Sequence, residues 1–219
     1  VLLRLNDIPG YTYRAVLELP KDPKAPEGSV RLSVVSARKA PTARTSIDNF
    51  GSRFLGPFEE SQQVSLETLP NQKTSLLLFG ATQLSELRYG GITHEIPLAY
   101  NWTMDLLGSV TAAEPGYTLK PQEIESFSKN YGVGVTYHLL RQREDTLSLR
   151  AGFEGRDTRS TILGSSTLTS DSIRALRLNA NYQGFDSADG YNLASATFSQ
   201  GISVLGASDK NSSNLSRAD

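Results

Sequence analysis

The chain has 219 residues, with 22 Lys and Arg against 23 Asp and Glu and a formal net charge of -1. That balance offers no basic stripe for a nucleic-acid partner, and the count of 0 Cys removes disulfides and thiolate metal sites. No run reaches the roughly 18 consecutive apolar residues of a membrane helix, while a mean hydropathy of -0.32 and 38% apolar content suit strands that alternate, in a membrane barrel or a soluble sandwich alike.

Val1 to Leu5 (VLLRL) reads as the end of a helix, stopped by the turn chemistry of Asn6, Asp7, Pro9 and Gly10. Tyr11 to Leu19 and Ser29 to Ala37 follow as two strands joined by the Pro-rich, polar PKDPKAPEG, a hairpin that completes a small α+β unit. From Thr42 onward the pattern turns to longer strands, read over 42–50, 58–69, 73–84, 90–100, 102–113, 127–140, 145–157, 169–184 and 190–202. Between the first two, Gly51 and Gly56 mark either a bend in a barrel strand or a plain hairpin turn, and spacing does not separate the two.

Later strands follow a two-sided rule. Tyr131, Val133, Val135, Tyr137 and Leu139 share one parity, while Gly132, Gly134, Thr136 and His138 take the other. Leu147, Leu149, Ala151 and Phe153 alternate in the same way with Ser148, Arg150, Gly152, Glu154 and Arg156. Leu176, Leu178, Ala180 and Tyr182 alternate with Arg177, Asn179, Asn181 and Gln183. Strands of ten or more residues exceed the roughly 5 or 6 usual in a sandwich and approach the roughly 9 to 11 that cross a bilayer at a tilt. Aromatics near strand ends (Phe50, Phe54, Tyr89, Tyr100, Trp102, Tyr131, Tyr182, Tyr191) suit interfacial girdles.

Charge then assigns the faces. An Arg facing lipid at mid-depth costs about 2 to 4 kcal/mol, so Arg150, Glu154, Arg156 and Arg177 are expected to face a lumen or to sit at its rim. There they hydrate the wall singly, and as a set they hold a plug or line the path of an unfolded polypeptide. Gly132-Val133-Gly134 lacks the third glycine and the helix of a dinucleotide loop and reads as a small lumen-facing pair. His94 and His138 fall on separate strands without Cys partners, which argues against a metal site, and no G-x-S-x-G nucleophile elbow occurs.

The segments DNFGSR (Asp48 to Arg53), PGYTLKP (Pro115 to Pro121), YHLLRQREDTLSLRAGFEGRD, SSTLTSDSIRALRLNANY and GASDKNSSNLSRAD resemble, in order, successive parts of two-partner secretion outer-membrane transporters. This is the TpsB family, of the hemolysin secretion and activation type (ShlB, FhaC, HecB). The resemblance implies a fragment that is mainly β. Residues 1–39 would be the C-terminal part of a second, α+β POTRA domain, and 40–219 the N-terminal part of a transmembrane antiparallel β-barrel of about sixteen strands. DNFGSR would open the first barrel strand, with Asp48, Asn49, Gly51 and Arg53 as candidate contacts of the barrel wall or plug. The pore-inserted loop with its V-R-G-Y type tip, and that loop's acidic partner, would lie downstream.

The function so implied is non-enzymatic: a monomer in the Gram-negative outer membrane, its N-terminal segment in the periplasm, passing an extended exoprotein without a cofactor. Two other readings predict different partners. A barrel-assembly factor with POTRA domains would insert other barrels, and a soluble β-rich binding domain would leave membranes on salt or carbonate washing.

Overall fold

The computed structural model describes residues 2–22, 24–81, 84–209 and 212–216. Helix α1 (Leu2–Asp7) leads into a hairpin of β1 (Tyr11–Glu18) and β2 (Arg31–Arg38), paired antiparallel from Tyr11 opposite Arg38 to Glu18 opposite Arg31. The helix runs through Asn6 and Asp7, the residues expected to stop it. Asn6 is used differently: its side chain accepts from the Tyr13 N–H (2.8 Å) and donates to the Tyr13 carbonyl (2.9 Å), tying α1 to β1 like a strand partner.

The remaining strands are β3 (Thr42–Asp48), β4 (Glu59–Leu69), β5 (Gln72–Ala81), β6 (Leu87–Ala99), β7 (Trp102–Ala113), β8 (Glu125–Arg141), β9 (Asp145–Ile162), β10 (Ser166–Phe185) and β11 (Tyr191–Gly201). They form one 9-stranded sheet in strict chain order, every neighbour antiparallel. All nine strands of the sequence reading are present. Their ends move outward where a partner strand continues, as at β9, which runs to Ile162 because β10 pairs with it as far as Ser166. The expected strand 73–84 ends at Ala81, and residues 82–83 lie outside those described.

Register makes the two faces continuous. Thr136, Arg150, Asn179 and Thr197 stand opposite one another across β8 to β11, as do Tyr137, Leu149, Ala180 and Ala196. Because side chains alternate with period 2, the first row belongs to a polar face and the second to an apolar one. Leu139 departs from the expected parity: a register shift between His138 and Leu140 takes it out of the Tyr137 row.

No second sheet or helix packs on the apolar face among the described residues. Among the described residues no large side chain is fully buried, and the buried hydrophobics are Ala81 and Ala175. Accessible surface totals 15153 Å², whereas a compact monomer of this mass exposes about 9,900 Å². On β7 the apolar-face row from Trp102 to Ala112 runs about 34 Å along the strand, or about 24 Å in height at a tilt of about 45°. That matches the roughly 25 Å band of a membrane barrel. An aromatic pair, Trp102 and Tyr137 (centroids 4.6 Å apart), lies near one edge of this face, and Tyr131 and Phe153 (6.5 Å) lie toward the other.

The two ends of the sheet differ. At the end carrying α1 and the hairpin, strands join through short turns at 70–71, 100–101, 142–144 and 186–190. At the opposite end the connections include the long segments 49–58 and 114–124, and the chain after β11 folds back there. The N–H groups of Ser170 and Ser208 donate to the carbonyls of Asn214 and Ser172, so this segment covers β10 beyond the reach of β11.

Candidate functional site: a charge ladder on the polar face

Four side chains from three strands meet on the polar face. Arg150 of β9 donates through Nε and Nη2 to the two carboxylate oxygens of Asp105 on β7, at 2.9 and 2.6 Å. Its third nitrogen reaches Glu154 at 3.4 Å, and the other Glu154 oxygen pairs with Arg177 of β10 at 2.9 Å. Two acids and two bases thus alternate across four adjacent strands. The fork-to-fork pairing of Arg150 with Asp105 fixes geometry as well as charge.

The bidentate pair spans β8, whose backbone passes beneath it. Gly134 is opposite both Asp105 and Gly152 in the register, and a Cβ there would fall inside the Arg150 guanidinium. A Cβ at Gly152 would stand 2.9 Å from Nη1 of the same group. The small parity of Gly132-Val133-Gly134 therefore clears the floor on which Arg150 lies. Arg150 is 19% exposed, and Asp105 and Glu154 are each 25% exposed, on a face otherwise open to solvent.

Of the residues singled out by sequence, Arg150, Glu154 and Arg177 come together. Arg156 does not join them: its Nε donates to Asn130 Oδ1 at 2.9 Å, and Asn130 donates to the Ser109 hydroxyl at 3.1 Å. Asp105 was missed because Leu107 shares its face and blurs the alternation of Trp102 to Ala113. Its signal is the register position opposite Gly134, which only the paired sheet supplies.

Asp48 lies on the first strand of the sheet as expected, at its end, whereas Asn49, Gly51 and Arg53 lie beyond it, and the expectation that they continue that strand is corrected. Asp48 ends β3, and its carboxylate accepts the Phe50 N–H at 3.1 Å, a turn-opening bond. Asn49, Gly51 and Arg53 lie in the β3–β4 connection, closed by the Gly51 N–H donating to the Pro57 carbonyl at 3.2 Å. Gly56 completes it at φ +96, with Ala81 where a Cβ would stand, so the turn reading of these glycines holds. The loop packs on segment 114–124: the Gly116 N–H donates to the Phe54 carbonyl (2.7 Å), Phe54 meets Tyr117 edge-on, and Arg53 lies 5.7 Å from the Tyr117 ring centroid.

Two further polar groups occupy the apolar face. Arg174 is 6% exposed, paired with Asp157 at 2.8 Å, and donates to the carbonyls of Leu205 and Arg156, with the Tyr131 ring 5.3 Å away. It lies beyond Leu176, toward the long-loop end, where the fold-back segment crosses it. His94 has both ring nitrogens engaged: Gln72 Oε1 accepts from Nε2 (2.8 Å), leaving Nδ1 to accept from the Thr74 hydroxyl (2.9 Å). Among the described residues, no three His, Cys, Asp or Glu side chains are grouped to hold a metal ion.

A single antiparallel meander with one bare apolar face and one charged face is a segment of β-barrel wall. Known structures agree at the level of fold. CdiB from Escherichia coli superposes with a TM-score of 0.75 at 14% identity over 95% of this chain, and CdiB from Acinetobacter baumannii with 0.67 at 11% identity over 91%. The chain spans 40% and 38% of the length of those two proteins. No family model and no curated protein sequence matches it.

Proposed function

We propose that this chain is part of an outer-membrane transporter of the two-partner secretion type, its sheet forming a portion of the barrel wall and its polar face lining the lumen. The observation that carries the reading is the apolar face: Leu178 and Phe198 stand opposite one another at 56% and 62% exposed, Leu149 in the neighbouring apolar row is 43% exposed, and no second layer among the described residues buries them. Lipid is the solvent that suits such a surface. The likeness in fold to CdiB and the family resemblance of the sequence motifs support the same assignment.

The connections support one sidedness. Outer-membrane barrels keep short turns in the periplasm and long loops outside, and the two longest connections of the sheet, 49–58 and 114–124, lie opposite the end bearing α1 and the β1–β2 hairpin, which favours a periplasmic position for that end. The α1–hairpin unit then corresponds to the end of a POTRA domain. It offers strand edges to an extended exoprotein of hemolysin or adhesin type, where main-chain hydrogen bonds give affinity without a strict sequence demand. The Asp105–Arg150–Glu154–Arg177 ladder stiffens the wall beside the passing chain while presenting little net charge to it. Transport of this kind needs no covalent chemistry and no cofactor, and one copy of the barrel suffices.

The test is deletion of the full-length gene followed by assay of medium and periplasm for the exoprotein encoded beside it. Loss from the medium, restored by complementation, is the expected result. Normal secretion with defective assembly of other barrels would transfer the assignment to the assembly-factor reading.

A further inference from the structure

The N-terminal unit touches the sheet at two separated places. Near the connector, Arg38 of β2 lies 3.6 Å from Glu67 of β4, and Gly10 lies against the same carboxylate, which stands where a Cβ would be. Farther along the rim, Arg4 of α1 stacks 4.1 Å from the Tyr100 ring centroid and donates to the Asn101 side chain in the β6–β7 turn. One helical turn on, Asp7 accepts from Nε and Nη2 of Arg141 at 2.9 and 2.6 Å, and Arg141, at the end of β8, also donates to Thr146. The small unit therefore bridges the rim from β4 to β8.

This joint is held at its margins. Between α1 and the rim lies a half-open cleft of about 260 Å³, lined by Leu5 and Ile8 on one side and by Leu98, Trp102 and His138 on the other. The contacts on either side of it are partly exposed ion pairs and a cation–π stack in place of packed apolar surface. Exposed pairs of this kind contribute little to stability, so the joint they make is one that opens readily.

We propose that Arg4 and Asp7 on α1, with Tyr100, Asn101 and Arg141 on the rim, form a releasable latch that sets the orientation of the β1–β2 hairpin relative to the barrel mouth. Its bearing on transport rests on the secretion reading above; the latch itself rests on these contacts. When it is closed, the hairpin is fixed at both ends. When it is open, the hairpin pivots on the connector at Lys39 to Pro41.

The test uses the full-length protein in detergent with Cys introduced at Leu5 and Leu98 and any other Cys removed, joined by a short bismaleimide. Asp7→Arg and Arg141→Asp are each expected to lower cross-linking about fivefold, and the double reversal to restore it. Heat-shifted gel mobility of the same samples reports folding. Should either reversal fail to fold, Arg4→Ala replaces it, with the same expected loss of cross-linking. Unchanged cross-linking in folded variants, or a double reversal no better than the singles, would overturn the latch. Cross-linking reads the joint independently of secretion, so a latch that behaves as expected in a protein that secretes nothing would leave the latch standing and remove the transporter reading.

Discussion

Arg150 shows how much one residue can organise on an open sheet. Its guanidinium serves Asp105 and Glu154 at once, and removing it leaves the Asp105 carboxylate, only a quarter exposed, without its bidentate partner and Glu154 with Arg177 alone. Arg150→Leu is expected to cost about 1.5 to 3 kcal/mol, read as a fall in the heat-modifiability midpoint of the full-length barrel in detergent. Gly134→Val should reproduce much of this loss with every charge still present, because it evicts the guanidinium from its floor. An unchanged midpoint in Arg150→Leu would mean the ladder is solvated surface.

A second residue carries a pH dependence. Asp186, in the turn after β10, is held below the usual carboxylate range by the Asn192 side chain first, then by the N–H groups of Gly190 and Ala188. A lowered folded pKa means its contribution is complete above the ordinary carboxylate value and disappears as pH falls through the lowered one. The Ala188 and Gly190 amides should therefore lose hydrogen-exchange protection selectively in that acid window, and Asp186→Ala should abolish the effect.

Parity made Arg150, Glu154 and Arg177 legible in the sequence, because each alternates with Leu, Ala or Phe. Asp105 was not legible, since its partner stands two strands away and parity says nothing of what lies across β8. At this scale a sequence reveals which face a charge takes and leaves its partner unstated.

Among elements, the β3–β4 connection is where local chemistry outweighed strand pattern. The strand was read as far as Phe50, yet the Asp48 side chain captures the Phe50 N–H and Gly56 takes a conformation that an L side chain rarely adopts. The loop so formed docks on segment 114–124 through Phe54, Tyr117 and Arg53. Gly56→Ala combines positive φ with a clash against Ala81 and is expected to cost more than about 1 kcal/mol. The visible result would be faster proteolytic cleavage within 49–58 and 114–124 on intact cells, with barrel assembly retained. Equal cleavage rates would show that the two loops do not support one another. Strand number was readable because each alternating run is bounded by turn residues. Strand ends were less so, since they depend on how far the neighbouring strand continues, and the end of α1 was misplaced because Asn6 spends its amide on β1.

For the whole molecule the decisive quantity is the surface left over after folding. Composition alone fitted a soluble sandwich as well as a membrane wall; the sheet favours the wall, because its apolar rows align across every strand from β7 to β11 and no second layer among the described residues covers them. The separation can be made experimental with one pair of substitutions on β10. Leu178 and Asn181 point to opposite faces of that strand, and Leu178 is 56% exposed. In water, placing Arg at so exposed a position is nearly neutral, for surface substitutions usually fall within about 0.5 kcal/mol. In a bilayer the same change puts a charge against lipid and costs about 2 to 4 kcal/mol near mid-depth, while Asn181→Arg adds one more cation to a hydrated lumen. Leu178→Arg should therefore deplete the full-length protein from the outer-membrane fraction and lower its heat-modifiability midpoint, with Asn181→Arg close to the parent in both. If the two variants behave alike, the apolar face is not against lipid, and the wall reading fails with it.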